Sequence, residues 1–407
     1  MHRRPPRSSP AHTDRDPFAL VTTDAELREL VLRLADQPHL AFDTEFVSEH
    51  TYRSQLCLVQ VAAPGTLAVI DTLAVQELEP FWRLLADPQR TTVVHAGREE
   101  MGFLLQAIQA RPAQLFDVQV AAGLVDYDYP AGYAAIVRRF LNLPTNKGET
   151  RTDWRKRPLT RGQLEYAVDD VRHLEELWQT LEERLESLGR TTWMQEEMAS
   201  WQDDVEESFT RKRWRRVAGL NGLTRRELAI VRELWHWRDS VAEERDMPPR
   251  RVLRDDLLVE LAKRKSADER EISLVRGMQR SDLRHILRGL AAAIQRGLDL
   301  PEDECPGGEK HRAPPPQLAV LGQFMATAVA GMCRQMHLAP SLVGTSSDMK
   351  DLLASKLGYA AGDREPLLAS GWRRQVVGEL VDDLLAGRAA LRIGDLRSHD
   401  PLVIDRR

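Results

Sequence analysis

Cysteine is scarce in this chain of 407 residues: Cys57, Cys305 and Cys333 stand far apart and make no pair at metal-ligand spacing. That excludes a disulfide framework and a cysteine zinc site, and it fits a reducing, cytoplasmic setting. No apolar run approaches the roughly 20 residues that would cross a bilayer, so no membrane span is expected. A surplus of basic charge is also missing. The formal net charge of −5 argues against a chain that coats nucleic acid by charge alone, but a local basic groove stays open. Residues 1–17 are basic and rich in Pro and Ser, lack the apolar stretch of a secretory signal, and read as a disordered arm.

The chain is too long for one ordinary core, and its pattern divides it. Thr23 and Glu26 have capping-box spacing ahead of Leu27, Leu30, Val31 and Leu34, which predicts a first helix. Strands are expected at 40–47, 56–63 and 67–71, separated by polar or Pro/Gly turns as in an antiparallel meander. A helix around 76–85, a fourth strand at 91–95 and a helix from about Glu99 follow. From there to about 210 the pattern is helical, broken by a loop at 143–158. Strands first and helices after predict an α/β domain over 18–210, a mixed sheet with helices packed on it. Residues 211–221 open on a basic cluster and read as a linker. Residues 222–298 and 317–390 show only helical patterns and predict two small all-α domains, joined by a Pro-rich linker at 299–316 and followed by a tail at 391–407.

Three places carry potential chemistry. In the segment LAFDTEF, strand alternation puts Asp43 and Glu45 on one face and Phe42, Thr44 and Phe46 on the other. Two carboxylates about 7 Å apart on one face are costly inside a domain unless something positive lies between them. An exposed edge strand explains the same pattern equally well. In the helix expected at 164–178, Tyr166 and Asp170 lie one turn apart on the flank of an apolar stripe. Asp169 turns outward there, and a tyrosine at the edge of a core beside a solvated aspartate is the plain alternative. At VVHAGREEMGFL a buried strand runs into a helix start, where Glu99 and Glu100 suit the helix dipole. His95 reads as an ordinary hydrogen-bonded histidine at the strand end.

In combination these pieces are far more specific. D-x-E on a first strand, an acidic residue opening a middle helix and Y-x-x-x-D on a late helix resemble the DEDD 3′→5′ exonucleases. The match is to the tyrosine-bearing subgroup on a ribonuclease H-like fold, and within it to the ribonuclease D family. The segments FDVQVAAGL, GETRTDWRKRPL and PLTRGQLEYAVDDVRHL carry the likeness further. Both helical domains are similar to helicase-and-RNase-D C-terminal (HRDC) domains, so the resemblance spans roughly residues 18–390.

The resemblance implies a metal-dependent nuclease with Asp43, Glu45, Glu100 and Asp170 as ligands of two Mg²⁺ or Mn²⁺ ions, Asp43 bridging them, and Tyr166 orienting the attacking water. RNA is the implied partner, in the form of tRNA precursors or other small structured RNAs, with DNA as an alternative. Lys147 and Arg151 are expected to grip it, helped by Arg155, Lys156, Arg157 and Arg161, and Phe46 either stacks on the terminal base or belongs to the core. One departure stands out: the family pattern has aspartate five residues after the histidine, where this chain has Glu100. Displacing a reacting group by ~1 Å can cost on the order of a hundredfold in rate. A catalytically weakened RNA-binding protein is therefore the third reading.

Overall fold

A computed structural model describes residues 17–126, 128–144, 152–210, 214–279, 285–307, 315–359, 365–398 and 400–406. The arm expected over 1–17, apart from Pro17, and the basic residues 211–213 lie outside these.

The N-terminal part is built on strands β1 (Ala19–Val21), β2 (His39–Val47), β3 (Gln55–Ala63), β4 (Thr66–Asp71), β5 (Thr91–Val94) and β6 (Gln114–Asp117). They form one mixed sheet in the order β1-β4-β3-β2-β5-β6. The expected meander is present, with β2–β3 and β3–β4 antiparallel. Strands β1 and β6 escaped the sequence reading. They are three and four residues long and pair in parallel with β4 and β5, so only tertiary partners make them strands.

Helices α1 (Asp24–Leu34), α2 (Glu79–Leu85), α3 (Arg98–Ile108), α4 (Val118–Val125), α5 (Tyr133–Leu141), α6 (Arg161–Arg172), α7 (Leu174–Ser187) and α8 (Thr191–Thr210) accompany the sheet. The α1 start is the expected capping box, with the Thr23 hydroxyl accepting from Glu26 N at 3.2 Å and the Glu26 carboxylate accepting from Thr23 N at 3.0 Å. Helix α6 closes the β2–β3–β4 face, burying Leu58, Val69, Ala167 and Val168 together.

Two helical units follow. The first contains α9 (Arg225–Glu244), α10 (Pro249–Val252), α11 (Asp255–Arg264), α12 (Glu269–Ser273) and α13 (Leu287–Asp299), around a core of its own. Trp235 and Trp237 pack against that core. The second contains α14 (Pro316–Gln335), α15 (Pro340–Val343), α16 (Ser346–Lys356) and α17 (Gly371–Leu385). Its buried side chains belong to the same continuous core as the sheet domain. The tail expected at 391–407 is corrected. Strands β7 (Ala389–Ile393) and β8 (Leu402–Arg406) pair as an antiparallel hairpin whose Leu391 and Ile404 pack on the core.

Among the described residues one helix, α14, is long and apolar enough by length and composition alone to cross a membrane, with mean hydropathy 1.2 over its most apolar 18 residues. Here Leu318, Met325, Ala328, Val329 and Cys333 face the protein core instead.

The join between α17 and the sheet domain is polar and buried. Glu197 on α8 receives two hydrogen bonds from the Arg373 guanidinium, at 2.6 and 2.9 Å, and one from the Trp372 indole at 2.9 Å. Arg190 ties the same two units by donating to the carbonyls of Leu124, Met336 and His337. Removing one partner of a buried ion pair strands the other, at about 3–5 kcal/mol. Glu197→Ala should therefore lower the unfolding free energy by about that much, read by urea denaturation, and a loss under ~1 kcal/mol would contradict this account.

Candidate active site

The site forms where β2 outruns its neighbour. Strand β5 pairs with β2 only at His39, Leu40 and Ala41, so Asp43 to Val47 extend past the end of β5 on that side. The chain turns back there through Ala96 at φ 53° and Gly97, and α3 begins. A Cβ on Gly97 would sit 2.5 Å from Val94 Cγ2, so only glycine permits this close approach. Asp117, at the end of β6, pins the turn by accepting from the backbone N–H groups of Ala96 and Gly97 at 3.0 Å each and from Gln119 N at 2.8 Å. The result lays the first turn of α3 beside the open stretch of β2.

That placement separates the two glutamates at the start of α3. Glu99 is exposed, whereas Glu100 is only 5 % exposed. Its carboxylate accepts a 2.6 Å hydrogen bond from the Thr44 hydroxyl. Thr44 points to the opposite sheet face from Asp43 and Glu45, so Glu100 is held at the strand from its α3 side. The longer side chain is thus fixed by a specific partner.

From the other face comes α6. It starts on a capping box, with Thr160 Oγ1 accepting from Gln163 N, and the Gln163 amide donates to Thr152 Oγ1 at 2.8 Å. Tyr166 and Asp170 stand one turn apart, the Tyr166 hydroxyl directed at the Asp170 carboxylate. The Tyr166 ring stacks on Trp154, with centroids 6.1 Å apart. Asp169 turns aside to Arg172, 3.2 Å away, as expected of the outward member of the pair. Tyr133 adds a further wall: its hydroxyl accepts from His173 N at 3.1 Å, and its own ionisation is opposed by burial and by Asp170, Asp169 and Asp43.

The electrostatics are those of like charges enclosed together. Burial, then Glu100, Asp170 and Glu45, push the Asp43 carboxyl well above its ordinary range. Burial, then Asp170 and Glu100, raise Glu45 to about 8. Burial also lifts Glu100 to about 7 against the Thr44 bond, and Asp170 to about 7 against the Tyr166 hydroxyl. Burial and the same carboxylates raise the Tyr166 phenol, so it stays protonated at neutral pH. Among the described residues no three carboxylate, imidazole or thiolate groups stand close enough to close a coordination shell unaided. The four carboxylates instead sense one another across the end of β2. As an all-oxygen set of like charges they fit a hard divalent ion.

The structure sorts the remaining candidates. Phe46 is half-buried and packs edge-on to Phe103 at 5.5 Å, which favours the core role. His95 is the hydrogen-bonded strand-end residue expected, with Nε2 3.0 Å from the Ala131 carbonyl. Lys147 and Arg151 lie outside the described residues. Arg157, expected to grip substrate, is instead a staple. Its guanidinium donates twice to the buried Asp71 at 2.6 Å and also to the Trp154 and Cys57 carbonyls. Arg155 pairs with Asp153 at 2.9 Å and Arg161 with Glu165 at 2.8 Å. The sequence reading missed Thr44, Asp117 and Tyr133. Only Asp117 carried a signal, as the aspartate in FDVQV that ends a strand and caps α4.

A mixed sheet carrying D-x-E, an acidic residue on α3 and Y-x-x-x-D on α6 defines a DEDD-type 3′→5′ exonuclease, a class that depends on divalent metal. A family model described as 3′-5′ exonuclease matches residues 18–186, and one described as HRDC domain matches 227–294. The chain is 34 % identical over 382 residues to ribonuclease D of Jannaschia sp., covering 92 % of this chain and 97 % of that protein. It is equally 34 % identical to ribonuclease D of Gluconacetobacter diazotrophicus, covering 93 % and 95 %. The crystal structure of Escherichia coli RNase D, described as an exoribonuclease involved in structured RNA processing, superposes with a TM-score of 0.81 at 28 % identity, covering 91 % of this chain and 99 % of that one. The chain belongs to the ribonuclease D family.

Because the carboxylates are raised in the folded state, protons stabilise the metal-free protein. This contribution is complete below the ordinary carboxylate range near 4 and is lost as pH rises towards about 8. Divalent ions must displace those protons. The rise in Tm on adding Mg²⁺ or Mn²⁺ should therefore be larger at pH 8 than at pH 6. In EDTA at pH 8, Asp43→Asn should melt higher than the parent while losing most of the ion-induced rise. Equal ion effects at both pH values would refute this electrostatic account.

Proposed function

We propose that this chain is a 3′→5′ exoribonuclease that releases nucleoside 5′-monophosphates from the 3′ ends of tRNA precursors and other small structured RNAs, using two Mg²⁺ or Mn²⁺ ions. The observation that carries the reading is the convergence of Asp43, Glu45, Glu100 and Asp170 at one strand end with Tyr166 beside them. Bound divalent ions would neutralise the scissile phosphate, acidify the attacking water and stabilise the leaving 3′ oxygen.

The chain's own groups supply the rest. Asp43, whose carboxyl feels all three of the others, would hold the ions together with them. Glu45 and Asp170 flank it, one from β2 and one from α6, and Glu100 reaches it from α3. Tyr166 keeps its proton on Oη, so it serves as a hydrogen-bond donor that orients the attacking water and is no general base. The Trp154 ring stacked on it, and the Arg157–Asp71 staple that holds the Trp154 loop to the sheet, fix the direction of that donor.

The Thr44–Glu100 bond favours a working enzyme over a silent RNA-binding protein, because it gives the extra methylene a defined position. The C-terminal helices support a second HRDC-like unit. A 20-residue helix, a four-residue helix beginning with Pro, a helix of 11 residues, a 3₁₀ turn and a final helix of 15 run parallel to the first unit's series. That series has 20, four beginning with Pro, 10, five and 13 residues.

With 3′-labelled tRNA precursor and Mn²⁺, Asp170→Asn should lose at least about a hundredfold in nucleotide release with its fold intact, and Thr44→Val should fall between it and the parent. Comparable release by Asp170→Asn would sink the assignment. Faster digestion of a DNA oligonucleotide than of the tRNA precursor would instead favour the DNA reading.

A further inference from the structure

One buried polar side chain near the site has no partner. Gln60 on β3 is fully buried, and neither its Oε1 nor its Nε2 makes a hydrogen bond. A buried amide without partners is costly, and a native protein keeps one where something else uses it. Its position says what. In the β2–β3 ladder Gln60 is the direct partner of Asp43, and in the β3–β4 ladder it is the partner of Val69. Direct cross-strand partners point to the same sheet face, with Cβ atoms about 5 Å apart. The Gln60 amide therefore lies beside the Asp43 carboxylate on the face that α6 closes with Ala167 and Val168. Leucine or valine would fill this place, between Leu58 and Ala62 on its own strand, without an unmet hydrogen bond.

We propose that Gln60 is a positioning residue of the active site: its side-chain N–H donates to the Asp43 carboxylate, directly or through one trapped water, and holds that carboxylate in the orientation that the ions and the scissile phosphate require. This rests on the nuclease reading above. An uncharged donor suits the place. It lowers the cost of a charged Asp43 without competing with the ions for the site, as a lysine or arginine would.

The test pairs activity with the ion response of stability. Gln60→Met keeps length and removes both polar atoms; Gln60→Glu keeps the shape but loses the donor. Both should lower kcat on labelled RNA by about tenfold to a hundredfold, with KM for RNA little changed, and both should raise the Mn²⁺ concentration needed for half-maximal rate. In EDTA, Gln60→Met should melt at or above the parent temperature, since it removes an unpartnered amide, yet show a smaller rise on adding Mn²⁺. Full kcat and an unchanged Mn²⁺ response in Gln60→Met overturn the proposal. If Gln60→Met fails to fold, full kcat in Gln60→Glu does so. If the parent chain releases no nucleotide from any RNA, the nuclease reading fails, and the Mn²⁺-induced Tm rise alone decides the role of Gln60: a rise equal to the parent's in Gln60→Met overturns it.

Discussion

Four carboxylates that repel one another are enclosed at the end of β2, and much of the N-terminal architecture is the means of keeping them there. They arrive on three supports: Asp43 and Glu45 on the strand itself, Glu100 on the first turn of α3, Asp170 on α6. Left to themselves such groups would take protons or move apart, and burial, with that repulsion, makes all four hold their protons to higher pH. The fold resists by hydrogen-bonding the supports. Asp117 pins the turn before α3, Thr44 holds Glu100, and the Arg157–Asp71 pair fastens the loop behind Tyr166. A divalent ion converts the same repulsion into binding energy, since the cost of assembling the negative field is met during folding and not at the moment of binding.

The parts of this arrangement that follow local periodicity were legible in the sequence. Alternation along β2 separated Asp43 and Glu45 from Thr44, and the helical period of α6 separated Asp170 from Asp169. The capping boxes at Thr23 and Thr160 obey the same local rule. What escaped was set by distant partners. Strands β1 and β6 exist because β4 and β5 are beside them. Arg157 looked like a free cation because its counter-charge, Asp71, lies 86 residues earlier in the chain. Gln60 sits inside an apolar run, and nothing local shows that Asp43 is across from it.

The helical units show the same limit in another form. Both present clear helical periods, yet only the first keeps a core to itself. In the second, Trp372 and Arg373 are spent on contacts with α8 through Glu197, and the Ala339–Gly123 backbone bond ties the start of α15 to α4. The apolar face of α14 packs on α15, α16, α17 and β8 of its own unit.

Glu100 depends both on local alternation and on distant packing. By motif alone it is a departure, an extra methylene where reach decides rate. In place, its position depends on three local facts: β2 extends beyond β5, Gly97 allows a turn tight enough to start α3 beside it, and Thr44 faces that helix because it alternates with Asp43 and Glu45. The alternation that puts two carboxylates on one face therefore also supplies the hydroxyl that anchors the third from the other. The four-residue window from Phe42 to Glu45 thus places two carboxylates directly and a third through its hydrogen bond, so the longer side chain at position 100 has a defined position.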